Sequence, residues 1–236
     1  MEKHDGQVMQ GEKRCIESGK GSRWITLLLP WVTAAAIVSG AISVPILCRP
    51  FYHAHITPLQ MRLRCGLDED QIKMTYDEVM DYCLGLSDNF TLTHMRWSAE
   101  GAAHFADVRA LFIFNMAVLA ISAILLGLIC LHDYRCRTTK RLLRNHIPAF
   151  WAASGLLVVL LTAGVLGAID FDRFFTAFHK VFFLRKDNWI FDPSVDPVIR
   201  MLPEVFFRNC ALLVFGLIIG SCILLLLFDR KCRKQN

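Results

Sequence analysis

The sequence predicts an all-α integral membrane protein: four transmembrane helices carrying an extracytoplasmic cap built from two long loops. Three observations carry that prediction. Four uncharged apolar blocks, each near the roughly 20 residues needed to cross a bilayer as a helix, divide the chain. Lys and Arg concentrate in the two tails and the middle loop. The two other loops are far longer than the usual connection between helices. The 236 residues are 54% hydrophobic and 20% charged, with a mean hydropathy of +0.40. A soluble domain is nearer about 45–50% apolar, and the excess here sits in the four blocks rather than along the whole chain. This excludes a disordered chain, a disulfide-stapled miniprotein and a simple cytosolic enzyme.

The blocks run from Trp24 to Leu47, Leu111 to Leu131, Pro148 to Ile169 and Cys210 to Phe228. Each is apolar all round, the pattern of a span rather than of an amphipathic surface helix. In lipid the backbone must bond to itself, and a helix does so. Pro30, Pro45 and Pro148 are expected at or near span ends, where a lost backbone donor matters less. The first block is too long for a signal-peptide core of about 7–15 residues and has no small-x-small cleavage site, so it is expected to be retained. Ile46 and Leu47 before Cys48 argue against a lipidation cysteine.

Orientation follows from basic residues near the span ends. Lys3, Lys13, Arg14, Lys20 and Arg23 lie in the first tail. Arg135, Arg137, Lys140, Arg141 and Arg144 lie in the middle loop, and Arg230, Lys231, Arg233 and Lys234 in the last tail. These are 14 of the chain's 26 Lys and Arg, so the formal charge of +5 reads as a topology signal and implies no nucleic acid. The expected organisation is a cytoplasmic basic tail over 1–23, a transmembrane domain over 24–228, and a cytoplasmic tail over 229–236. Spans fall at about 24–47, 111–131, 148–169 and 210–228, and the outward loops 48–110 and 170–209 form the cap.

Loop one is acidic in its middle, with Asp68, Glu69, Asp70, Asp77, Glu78 and Asp81. Thr75-Tyr-Asp-Glu78 has capping-box spacing, which predicts a short helix from Tyr76 to Leu84 ended by Gly85. Ser98-Ala-Glu100 reads as another helix start, running directly into the second span. Loop two opens with Phe171, Phe174, Phe175, Phe178 and Phe182 on one helical face. Eight aromatics fall between positions 171 and 191, and Asp192-Pro-Ser and Asp196-Pro read as turns. Of nine Cys, only Cys65 and Cys83 sit well inside an outward loop; spacing leaves a disulfide between them open. No CxxC pair argues for zinc.

Two constellations carry chemistry. Glu100, His104 and Asp107 share one helical face through offsets of four and three. An imidazole between two carboxylates suits proton transfer, although a solvated helix end with a structural His reads the same way. Metal ligation needs a further ligand, for which His179 is the obvious donor. His179 lies beside the Phe174, Phe178 and Phe182 stripe. Such a stripe reads either as an interfacial belt with an incidental His or as a wall for acyl chains; belts usually use Tyr and Trp. His104 and His179 fall at the outer ends of adjacent membrane helices, so their depths match. His53 and His55, at the end of the first span, are next in line.

These residues resemble the lipoprotein intramolecular transacylases, small bacterial membrane proteins with four helices and an extracellular cap. The similarity rests on topology and on two stretches. One is Trp97-Ser-Ala-Glu100-Gly-Ala-Ala-His104-Phe-Ala-Asp107-Val108. The other is Phe178-His179-Lys-Val-Phe-Phe with the following Asp187-Asn-Trp189 and Leu202-Pro203. It covers most of the chain between the first and fourth spans. Where the family often has Met after the first motif's His, this chain has Phe105.

The resemblance implies a reaction. One acyl chain of a diacylglyceryl-modified N-terminal cysteine moves from the sn-2 oxygen to the α-amino group of the same cysteine, giving a lyso-form lipoprotein. No cofactor or metal is required, and the partners are the diacylated lipoprotein and membrane lipids. His104 and His179 are then the catalytic pair. Which is base is open; His104, oriented by Glu100 or Asp107, is the first candidate. Charge on the oxyanion is met by the other His, by Lys180 or by Arg173. Phe174, Phe178, Phe182, Phe183 and Trp189 form the aromatic wall. The rival readings are a membrane metal-dependent hydrolase using Glu100, His104 and His179, and a non-catalytic tetraspan protein that binds a partner through its cap. Oligomeric state is not legible.

Overall fold

The computed structural model describes residues 2–136, 142–183 and 187–234, with side chains from Arg23 onward. Of the basic residues used for orientation, Arg137, Lys140 and Arg141 lie outside the described residues, as do the side chains of Lys3, Lys13, Arg14 and Lys20. The regular elements among the described residues are all helices. In order come α1 (Glu2–Leu47), α2 (Arg49–His53), α3 (Met61–Cys65), α4 (Glu69–Cys83), α5 (Ala99–Arg135), α6 (Pro148–Ile169), α7 (Phe171–Phe182), α8 (Val198–Met201) and α9 (Glu204–Lys234). Among the described residues there is no strand, only an isolated antiparallel bridge between Leu143 and His146.

Four helices are long and apolar enough to cross a membrane: Arg23–Leu47 of α1, α5, α6 and α9. Their most apolar windows are only 6–11% buried within the chain, as lipid-facing helices require. Each contains one of the expected spans, so this is an all-α, multi-pass membrane protein. The helices outrun the apolar blocks at several ends. α5 begins at Ala99, so the helix started by Ser98 does run unbroken into the second span. Pro148 opens α6, where its missing donor costs nothing. Pro30 differs from expectation: α1 continues on its N-terminal side, which places Pro30 in the helix interior.

The chain divides into two compact units. The first comprises Met1–Val38, Leu119–Val158 and Ile219–Asn236. Its polar centre is Asp229, 1% exposed. Asp229 accepts hydrogen bonds from His146 Nδ1 at 2.8 Å and Ile147 N at 2.9 Å, and pairs with Arg233 Nε at 3.1 Å. His146 stacks on Phe150 with ring centroids 3.8 Å apart. A buried carboxylate is tolerable only when its oxygens are bonded in this way.

The second unit comprises Ser39–Val118 and Val159–Ile218, and so contains both long loops and the adjoining ends of the four long helices. Its core joins α2, α4 and α8. Tyr52 and Tyr76 stack at 3.6 Å with 3° between planes, and Tyr52 Oη donates to the Met201 carbonyl at 2.9 Å. Ile56, Met61, Ile72, Val198 and Met201 are buried around them. Arg49 bridges to α4, donating to Asp77 Oδ1 at 2.7 Å and Asp81 Oδ1 at 2.5 Å. Within the apolar helices, Asn115 Nδ2 donates to Ser43 Oγ at 3.0 Å and to the Ser39 carbonyl at 3.3 Å. Polar bonds of this kind tie helices together where lipid offers no competing partner.

Loop one departs from expectation in one respect. The helix placed at Tyr76–Leu84 starts much earlier, because Asp68 and Gln71 form the true capping box, with bonds of 2.8 and 3.0 Å. Thr75 is buried in the helix interior, its hydroxyl bonded back to Gln71 O at 2.8 Å. Glu78 instead holds the later loop, accepting from the Thr93 amide at 2.9 Å and from the Thr93 hydroxyl. Gly85, at φ +77°, follows the helix end as expected. Cys65 and Cys83 are free thiols, with Cys83 buried in the core.

Loop two is fastened to the start of α5 by Asp196, 5% exposed. Its two oxygens accept from Ser98 N and Ser98 Oγ, each at 2.7 Å. Ser98 Oγ in turn accepts from Gly101 N at 2.9 Å, which caps the helix. The fit leaves no room: a Cβ at Gly101 would lie 2.5 Å from Asp196 Oδ1 and 3.3 Å from Phe191 Cε1. Gly101→Ala should therefore cost about 1–3 kcal/mol by overpacking. Asp196→Ala should cost about 1.5–3 kcal/mol through loss of charge-assisted bonds. Thermal unfolding of the purified protein checks both, with a lowered midpoint expected.

Candidate active site

The site grows from the two helix starts in the second unit. Capped by Ser98, α5 turns the buried ring of His104 and its neighbour Phe105 inward. Asp170 caps α7 by accepting from Arg173 N at 3.0 Å, and α7 then buries His179 at its far end, with Phe183 following. The ring centroids of His104 and His179 lie 6.3 Å apart with 25° between planes. Two histidines separated by 75 positions in sequence are thus brought close with their rings nearly parallel.

Aromatic rings enclose them. His179 lies 4.1 Å from Phe175, 4.6 Å from Trp189, 5.3 Å from Phe183 and 5.5 Å from Phe178. His104 lies 4.7 Å from Phe183, 5.3 Å from Phe191 and 5.7 Å from Phe105. The two imidazoles share Phe183 as a common wall.

The proton positions differ. His179 Nδ1 donates to the Phe175 carbonyl at 2.8 Å; since a carbonyl only accepts, the neutral ring carries its proton on Nδ1 and its lone pair on Nε2. Burial lowers the His179 pKa below its ordinary value, against a smaller opposing effect of that hydrogen bond. His104 Nδ1 is buried and has no hydrogen-bond partner among the described residues.

Of the supporting residues expected from sequence, Asp107 belongs to this cluster: its Oδ2 accepts from Asn188 Nδ2 at 3.1 Å. Glu100 is exposed and does not hold His104 Nδ1. It lines a cavity of about 120 Å³ together with Gly101, Asn188, Phe191 and Asp196. Arg173 and Lys180 are not brought to the histidines. Both are exposed on the other face of α7, lining an open cleft, and Arg173 Nε pairs with Asp170 Oδ2 at 3.0 Å.

The expected wall divides in the same way. Phe178, Phe183 and Trp189 contact His179. Phe182 packs on Phe178 with the rings tilted and is half-exposed, while Phe174 packs near Gly167 and Phe171. A stripe of that width cannot turn every ring toward one point, because adjacent members of an i, i+3, i+4 set diverge around the helix. His53 and His55 lie elsewhere: His55 Nδ1 bonds the Phe51 carbonyl at 2.7 Å, and His53 Nε2, 4.0 Å from Asp77 Oδ1, is buried with no hydrogen-bond partner among the described residues.

Phe175, Phe191, Asn188, Ser98 and Asp196 were not singled out for the site from sequence. Phe175 had a signal, four residues before His179 on the same face. Phe191, Asn188 and Asp196 come from irregular chain, where no periodicity marks direction. Among the described residues no three His, Cys, Asp or Glu side chains are grouped to hold a metal ion.

Comparison with known proteins gives the family. The family profile described as lipoprotein intramolecular transacylase Lit matches residues 27–207. The chain belongs to the Lit family. The membrane-integral Lit of Bacillus cereus, solved in meso, superposes with a TM-score of 0.80 at 25% identity, covering 92% of this chain and 98% of that one. A form of the same protein with a His-to-Arg mutation gives 0.73 at 26% identity, covering 95% and 97%. A form with a His-to-Ala mutation gives 0.74 at 25% identity, covering 93% and 97%. A search of curated proteins gives no match. As a Lit-family protein, the chain is an acyltransferase that performs intramolecular acyl transfer in lipoproteins.

A lowered His179 pKa has a sign. Folded His179 resists protonation relative to the unfolded chain, whose His titrates near about 6.5. Both states are neutral above that value, and stability falls as pH drops below it. Loss of kcat/KM between about pH 8 and 6.5 would belong to a substrate amine titrating near about 7.7–8.0, and any loss through protonation of His179 should begin only below about 6.5. The pH dependence of kcat/KM, with unfolding midpoints at the same pH values, checks this.

Proposed function

We propose that this chain transfers the sn-2 acyl group of a diacylglyceryl-modified N-terminal cysteine to the α-amino group of that cysteine, with His104 and His179 as the catalytic pair. The observation that carries the reading is their convergence, both buried, among aromatic rings. An α-amino group titrates near about 7.7–8.0, so an imidazole titrating below it suffices to accept its proton once the amine attacks.

The proton position on His179 supports that ring as base, replacing the first expectation of His104. Its Nε2 lone pair is available because Nδ1–H is committed to Phe175. The amine nitrogen bonds to the ester carbon and the carbonyl electrons move to oxygen. His179 takes a proton from nitrogen. Collapse breaks the bond to the glyceryl oxygen, which takes the proton held by His179 while His104 donates a hydrogen bond to it, and both rings end neutral as they began. No atom is gained or lost overall, so no co-reactant is required.

Nucleophile and ester already belong to one molecule. The task of the enzyme is orientation, which in well-held intramolecular reactions accounts for about 7–11 kcal/mol. Excluding water from the enclosure also protects the ester from hydrolysis. Both termini are cytoplasmic on this reading, and the site sits at the outer boundary between membrane and cap. The basic residues of the tails and middle loop support that orientation.

His104→Ala and His179→Ala should each lower lyso-form production by about 10²-fold or more while the protein still inserts. The measurement is mass spectrometry of a reporter lipoprotein's N-terminal peptide, in a host lacking the activity. Full activity in either variant would overturn the assignment. Accessibility labelling of single cysteines in the tails tests the orientation.

A further inference from the structure

Buried polar atoms are normally hydrogen-bonded, so a cluster that is not marks a place where another molecule completes the bonding. Among the described residues there are four such atoms: His53 Nε2 in the cap framework, His104 Nδ1 within the histidine pair, Trp189 Nε1 on the indole packed against His179, and Asn188 Oδ1 on the neighbouring residue bonded to Asp107. Asn188 and Trp189 are adjacent, and each offers the opposite polarity. Asn188 gives its Nδ2 to Asp107 Oδ2 at 3.1 Å, which turns its carbonyl oxygen away as a pure acceptor. The indole of Trp189 is a pure donor, held 4.6 Å from the His179 ring. Asn188 also lines the cavity of about 120 Å³ beside Phe191, the ring that packs on His104.

We propose that Asn188 and Trp189 are the polar substrate contacts of this site: Asn188 Oδ1 accepts an N–H from the attacking α-amino group, and Trp189 Nε1–H donates to the oxyanion that develops from the ester carbonyl. The inference rests on the acyl-transfer reading above and adds to it. A primary amine has two N–H bonds. One proton passes to His179 as the N–C bond forms, and the other points to Asn188, which fixes the direction of the nitrogen lone pair. As the carbonyl electrons move onto oxygen, the indole N–H meets the growing negative charge. When the glyceryl C–O bond breaks, the amide oxygen of the product remains on Trp189 and the remaining amide N–H on Asn188. Asp107 is a positioning residue that acts through Asn188.

The two contacts differ in when they matter. The amine N–H is present in the ground state, so Asn188 contributes to binding; the oxyanion exists only in the transition state, so Trp189 contributes to turnover. The test uses the purified full-length protein, a synthetic diacylglyceryl-cysteine lipopeptide as substrate, and its ether-linked analogue, which cannot transfer. Trp189→Phe keeps the ring and should lower kcat by about 10²- to 10³-fold, the loss typical of one oxyanion donor, with affinity for the ether analogue unchanged.

Asn188→Ala should raise KM and weaken the ether analogue by about tenfold. Asp107→Ala should move KM in the same direction and add nothing to Asn188→Ala in the double variant. Trp189→Phe that loses neither turnover nor binding, or loses both, overturns the indole role. Asn188→Ala that leaves KM and analogue affinity unchanged overturns the amide role. Activity surviving His104→Ala and His179→Ala would instead overturn the acyl-transfer site itself, so the two failures are distinguishable.

Discussion

The candidate site depends on a carboxylate that does no chemistry. Asp196 takes both the amide and the hydroxyl of Ser98, and Ser98 begins the helix that carries His104. The same loop carries Phe191, which packs on His104, Trp189, which packs on His179, and Asn188, which bonds Asp107. One buried anion therefore sets the distance between a helix and an irregular segment that would otherwise have no fixed relation. Gly101 is the counterpart of that clasp: only a residue without Cβ lets the carboxylate approach the first turn so closely.

The enclosure is apolar enough to make each remaining polar atom consequential. Around His104 and His179 the neighbours are Phe105, Phe175, Phe178, Phe183, Trp189 and Phe191. In such surroundings a neutral imidazole is favoured over a charged one, and a hydrogen bond that completes an unmet donor or acceptor is stronger than it would be in water. That suits a reaction whose two partners arrive already joined. The protein need not bring them together; it must hold an amine and an ester in one geometry and keep water away from both.

The fastening of the cap core is a separate matter from the chemistry. Tyr52, Tyr76 and Met201 lock α2, α4 and α8 through stacking and one buried hydroxyl bond, and Arg49 holds two acids of α4. His53 and His55 are absorbed into this framework, which is why proximity to a span end was a poor guide to their use. Asp229 plays a similar fastening role within the first unit, satisfied by His146, Arg233 and a backbone amide.

What the sequence determined by itself follows from composition and period. Four apolar blocks determine four helices because a bilayer-length uncharged segment has no other way to satisfy its backbone. The helix offset of Glu100, His104 and Asp107 and the cap at Ser98 were readable for the same local reason. The pairing of His104 with His179 was an inference from matching depth, and the structure does bring the two rings together. Tertiary structure alone decided which neighbours count. Periodicity assigns a residue to a helix face but does not say what that face meets, so Arg173, Lys180, Phe174 and Phe182 share α7 with His179 yet point elsewhere. Irregular segments have no period at all. The places of Asn188, Phe191 and Asp196 emerge only when long-range hydrogen bonds and ring contacts fold loop two back onto the first turns of α5.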